Sequence, residues 1–90
     1  MMADTAILNG VKAALGVTSD FMDATISIYI DEVTDYMLGA GVPNDVIAAS
    51  VGVISRGVND LWTTSSGDAK YSPYFYDRVT QLVMRAGGRT

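Results

Sequence analysis

Residues 20–38 read DFMDATISIYIDEVTDYML, and whether this stretch is a strand or a helix decides the fold. Thr25, Ile26, Ile28, Ile30 and Val33 are β-branched and suit a pleated strand. The apolar residues nevertheless recur at Met22, Ile26, Tyr29, Ile30, Val33 and Met37, which is the spacing of one helical face. The opposite face carries Asp23, Ser27, Asp31, Thr34 and Asp35. A stripe of about four turns outlasts an average strand, so length settles the choice for a helix. It runs over about residues 20–38, from Ser19 or Asp20 to Leu38, with Gly39 and Gly41 beyond it as left-handed caps.

Upstream, a helix over about residues 4–15 is expected, capped by Asp4 or Thr5, with Ile7, Leu8, Val11 and Leu15 on one face. Gly16 ends it, and Gly10 inside it costs about 1 kcal/mol relative to alanine. Downstream, Pro43-Asn44-Asp45 opens a helix over about 44–62 whose stripe is Ile47, Val51, Ile54, Val58, Leu61 and Trp62. Its small residues Ala48, Ala49, Gly52 and Gly57 let a second helix approach closely. Thr63-Thr64-Ser65-Ser66-Gly67-Asp68 reads as a polar loop. Ser72-Pro73 then supplies a capping serine and a proline at the first helical position. The helix that follows, over about 73–86, places Phe75, Val79, Leu82 and Val83 on one face and ends at Ala86-Gly87-Gly88. These elements predict an all-α fold: one domain spanning 1–90, built as a small bundle of about four helices joined by short loops. Its expected core is Ile26, Ile30, Val33, Ile47, Val51, Ile54, Val58, Leu61, Trp62, Phe75, Val79 and Leu82.

With 90 residues the chain supports one compact domain, and 49% of it is hydrophobic. A domain this small buries only roughly 60–65% of its unfolded surface, so some of that apolar material is expected to face a partner. A membrane span needs about 20 apolar residues in a row. Asp31, Glu32 and Asp35 interrupt one such run, and Arg56, Asn59 and Asp60 interrupt the other, so no membrane partner is expected. Met1-Met2-Ala3-Asp4 does not read as a signal peptide. Neither cysteine nor histidine occurs, which argues against disulfides, thiolate metal sites and a histidine general base. Synthesis and use in a reducing cytoplasm are expected.

The net charge is -4, unevenly spread. Up to Asp45, Lys12 is the lone cation; beyond it Arg56, Lys70, Arg78, Arg85 and Arg89 outnumber Asp60, Asp68 and Asp77. Such halves suit head-to-tail contacts between copies, or simply a scattered solvated surface. Among the carboxylates, Asp31 and Asp35 stand at i and i+4 and in principle share a cation, but no calcium-loop glycine accompanies them. A solvated acidic helix face is the plainer reading, with Asp20 or Asp23 also favouring the helix N-terminus. The serines and threonines have no histidine to activate them, and the glycines form no phosphate loop. The residues therefore indicate no enzyme, no cofactor and no metal. Arg78 and Arg85, two turns apart, make only a minor basic patch for nucleic acid. Tyr71, Tyr74, Phe75 and Tyr76 cluster at one helix start and leave two readings open. Either they form an interface, as tyrosine favours, or Phe75 and Tyr74 are core while Tyr71 and Tyr76 cover it.

Taken in order, these segments resemble the small head–tail connector, or adaptor, proteins of tailed phages. The resemblance rests on Ile7-Leu8-Asn9-Gly10-Val11-Lys12-Ala13-Ala14-Leu15-Gly16-Val17 leading to a turn and Asp20, then Ile26, Ile30, Val33 and Tyr36. It continues through Val46-Ile47 to Val58-Asn59-Asp60-Leu61-Trp62. Its most specific part is Ser66-Gly67, Tyr71-Ser72-Pro73-Tyr74-Phe75 and Arg78-Val79-Thr80-Gln81-Leu82, so that nearly the whole chain is covered. The resemblance implies a structural virion protein in the neck between capsid and tail, a homo-oligomer of about twelve copies matching the portal's symmetry. Its implied partners are the portal protein, a tail-completion or stopper protein, and genomic DNA passing nearby in the channel. On that reading Tyr71, Tyr74, Tyr76, Arg78 and Arg85 are candidate subunit or portal contacts, and Asp23, Asp31 and Asp35 a candidate acidic channel-facing surface. Some members carry a longer C-terminal extension that grips the portal; here the last helix and tail, with Arg85 and Arg89, would supply that contact or leave it to loops. The alternative, from a different class, is a small phage-encoded helical DNA-binding or regulatory module.

Overall fold

A computed structural model describes residues 5–63 and 71–87. Five helices follow one another: α1 (Thr5–Leu15), α2 (Asp23–Ala40), α3 (Asn44–Ala48), α4 (Val51–Thr63) and α5 (Pro73–Gly87), with no strand among the described residues. The all-α bundle expected from periodicity is therefore present, including a helix across the β-branched stretch 25–33. The polar loop expected over 64–68, the capping residue Asp4 and the tail with Arg89 lie outside the described residues.

α2 places Ile26, Ile30, Val33 and Met37 in the centre of the molecule, each with no exposed surface. Against them pack Ile7 and Val11 of α1, Ile47 of α3, Val53, Ile54 and Val58 of α4, and Phe75, Val79 and Leu82 of α5. Glycine sets how closely these helices approach. A Cβ at Gly57 would stand 2.6 Å from Phe75 and 2.9 Å from Val33, and one at Gly10 would stand 2.8 Å from Val51. Gly57 thus lets α2 and α5 close on α4, and Gly10 lets α1 close on it.

Several boundaries differ from the periodic reading. α2 starts at Asp23, because residues 20–23 form a turn closed by the Asp23 amide donating to the Asp20 carbonyl. Met22, whose side chain makes no cap hydrogen bond, stands at the N-cap, while the Asp20 carboxylate is turned toward Lys12. Gly39 lies inside α2, and only Gly41, at φ 107°, takes the left-handed cap conformation. There the Gly41 amide donates to Leu38 and the Val42 amide to Met37, tucking Val42 into the core. Gly16 and Val17 repeat this turn at the end of α1, donating to Ala13 and Lys12.

The helix expected over 44–62 is two helices. Ser50 breaks it: its hydroxyl donates to the Val46 carbonyl at 2.6 Å and its amide to Ile47, while its own carbonyl accepts the first α4 bond from Ile54. The hydrogen-bond ladder of α3 ends at the Ser50 amide, a new one starts from its carbonyl, and Val53 beyond it packs in the core. As a result Val51, Leu61 and Trp62, expected in the core, are only partly buried against it. Trp62 meets Tyr29 edge-on, with centroids 6.0 Å apart. Thr34, expected on the solvent face, is fully buried and places its hydroxyl on the Asp31 carbonyl.

Candidate functional site

The five candidate contact residues do not form one patch. Ser72 caps α5 as its sequence implies, accepting from the Phe75 amide at 3.2 Å, and this fixes the rotation of the helix. Phe75 then points inward, fully buried, and Tyr74 points out, 57% exposed. The reading that put Tyr74 in the core fails for this reason: with Phe75 turned inward, Tyr74 lies about 100° round the helix and faces outward.

Tyr71 and Tyr76 belong to an aromatic cluster on the α2 side. Tyr71 stacks on Phe75 at 4.3 Å, and Tyr36 of α2 closes over both, 5.1 Å from Tyr71 and 5.9 Å from Tyr76. Burial, followed by the Glu32 carboxylate nearby, pushes the Tyr71 hydroxyl up to about 12. Tyr36 and Tyr76 remain on the rim, so this cluster covers the core and presents two partly exposed rings. Tyr36 was not singled out as a site residue, although the i+7 step from Tyr29 placed it at the edge of the apolar stripe.

Tyr74, Arg78 and Arg85 face the other way, into a groove between α4 and α5. One depression of about 380 Å³ is lined by Ser50, Gly52 and Val53 together with Tyr74, Arg78, Leu82 and Arg85. It shares Tyr74 and Gly52 with a second depression that reaches Arg56, Asn59 and the end of α1 at Leu15. It shares Leu82 and Arg85 with a third that reaches Val46 and Asp45 of α3. Small residues on α4 and the Ser50 break leave this furrow open, and three arginines line it. Arg56 lies over the Tyr74 ring at 5.4 Å, donates to Ser72 and pairs with Asp60. Arg78 donates to Gln81, and neither Arg78 nor Arg85 forms an ion pair among the described residues.

The acidic residues divide as well. Asp23, expected beside Asp31 and Asp35, is held at 2.7 Å by Lys12, which also reaches Asp20 at 3.1 Å. The Asp23 hydrogen bond, reinforced by Asp20 against the opposing effect of burial, raises the Lys12 ammonium above its ordinary value. Asp23 therefore staples α1 to α2 and is only partly exposed, which separates it from any acidic surface. The signal for this was the lone cation in the acidic half. Asp31, Glu32 and Asp35 instead surround a shallow hollow with Ile28 on the outer face of α2, and Ile28 is 66% exposed. None of these carboxylates forms an ion pair among the described residues. One oxygen of Asp31 is buried and accepts no hydrogen bond.

No group of three or more potential metal ligands occurs among the described residues, and none of their helices is long and apolar enough to cross a membrane. No family model, no curated protein and no solved structure matches the chain.

Proposed function

We propose that this chain is a structural subunit of a phage head–tail connector, one of about twelve copies in a ring between the portal vertex and the tail. The observation that carries the reading is the resemblance running from Ile7 to Leu82, in a chain whose described residues form an all-α bundle. Supporting it, the molecule carries two surfaces of opposite charge on different helices, and ring subunits need two such faces. The ring extends the DNA channel, with the portal protein above and a tail-completion or stopper protein below; it acts by binding, without catalysis or cofactor. The virion neck is its place of action.

The test is to mix the purified protein with the portal of its phage and determine mass and symmetry by light scattering and electron microscopy. A cylindrical ring stacked on the portal is expected. Absence of binding, with the neighbouring tail-completion proteins also present, overturns the proposal. The second reading, a DNA-binding module, is favoured by one observation: Arg56, Arg78 and Arg85 line a single groove. Salt-sensitive binding to duplex DNA would support it, whereas the net charge of -4 opposes it.

A further inference from the structure

We infer that the outer face of α2 docks into the α4–α5 groove of a second copy of this chain, and that this head-to-tail contact is what closes the ring. The inference rests on the ring reading and names the contact within it. α2 presents Asp31, Glu32 and Asp35 around the exposed side chain of Ile28. The groove presents Arg78 and Arg85 beside the exposed ring of Tyr74. Among the described residues neither set forms an ion pair, so neither breaks one of these to meet the other.

The two surfaces also match in chemistry. Each set combines one exposed apolar side chain with charges of a single sign, so desolvation of Ile28 against Tyr74 accompanies the pairing of carboxylate with guanidinium. No residue of α2 lines the groove, and no residue of α4 or α5 lines the α2 hollow. One molecule can therefore use both surfaces at once. A contact between two different patches is heterologous and propagates from copy to copy until the rotation closes. This use takes Asp31 and Asp35 away from the channel wall and places them between neighbours.

The test uses two charge-reversed proteins, a groove variant (Arg78→Glu with Arg85→Glu) and a face variant (Asp31→Arg with Asp35→Arg), their helical content checked by circular dichroism. Mass is followed by sedimentation velocity against concentration at low ionic strength. The wild type is expected to self-associate in a salt-sensitive manner. Each variant alone is expected to associate at least about 100-fold more weakly, because like charges then meet across the contact. An equal mixture is expected to recover association, since the reversed groove of one variant accepts the reversed face of the other, and the native face of the first meets the native groove of the second. Oligomers that survive both reversals would show that copies meet elsewhere, which overturns this contact and leaves the ring reading standing. A wild type and a mixture that both stay monomeric overturn the contact too, and the portal experiment then judges the ring separately. Should a double variant lose its helices, Glu32→Arg and Arg85→Glu repeat the test at exposed positions.

Discussion

Replacing Gly57 with alanine adds one methyl group at the point where three helices meet. In open space this change stabilises a helix by roughly 1 kcal/mol, because alanine loses less backbone freedom on folding. At Gly57 the added Cβ would stand 2.6 Å from the Phe75 ring and within 3.0 Å of both Val33 methyls. Phe75 and Val33 are fully buried, and Phe75 is backed by the stacked Tyr71 ring, so neither can withdraw by the required fraction of an ångström without moving its helix. Overpacking of this kind costs about 1–3 kcal/mol, and stiff neighbours on two sides place it toward the upper end. Subtracting the helix gain leaves a net loss of about 2 kcal/mol, equivalent to roughly 8–16 °C in melting temperature for a domain of this size. Gly52, one and a half turns earlier on α4, has nothing within 4 Å of its Cβ position, so Gly52→Ala should gain about 0.5–1 kcal/mol. Urea unfolding followed by circular dichroism measures both changes. If Gly57→Ala matches or exceeds the wild type in stability, the close approach of α2 and α5 to α4 described above is wrong.

Three other outcomes are expected. Ser72→Ala should cost about 1 kcal/mol by chemical denaturation, because the Phe75 amide loses its cap; an unchanged midpoint would show that Ser72 does not cap α5. Gly41→Ala should cost about 1–2 kcal/mol through its left-handed backbone alone, since the new Cβ makes only ordinary contact with Val83 at 3.7 Å. Finally, the Lys12 ammonium is raised in the folded state by Asp23 and Asp20, and the Tyr71 hydroxyl is raised by burial to about 12. Both groups hold their protons more tightly when folded, so their stabilisation is complete below the unfolded values near 10 and is lost as pH climbs through the folded ones. Melting temperature should therefore fall across about pH 10–12, and the fall should be shallower in Lys12→Gln and in Tyr71→Phe; slopes equal to the wild type in both would refute the assignment.

Helix identity was legible wherever apolar spacing ran for several turns, as on α2, because burial of one face dominates the weak strand preference of its β-branched residues. Ser72-Pro73 was legible because a cap acts within four residues. What was hidden depended on partners distant in sequence or on a single competing hydrogen bond. Ser50 could have sat passively inside a long helix, as Ser55 does with the same bond to the turn before it, and nothing in the local sequence tells the two apart. Lys12 was visible as a lone cation, yet its grip on Asp23 arises from the angle at which the Gly16 turn delivers α2. Tyr74, Tyr76, Arg78 and Arg85 were correctly placed on one helix, with Tyr71 just before it, but their division between two surfaces follows from the rotation of α5, which the Phe75 anchor sets.

The bonds between α4 and the start of α5 have a practical consequence. Asp60 accepts from the Ser72 amide at 2.9 Å, Arg56 donates to the Ser72 hydroxyl, and Arg56 and Asp60 pair with each other. The two helices are thus tied at the base of the connecting segment by groups that the segment itself does not supply. Lengthening a connection whose ends are already fixed costs little, about 0.6 kcal/mol for each doubling. The stretch between Thr63 and Tyr71 is accordingly the natural place to graft an affinity peptide or a fluorescent reporter, giving a handle on the protein that leaves the bundle's packing as it is.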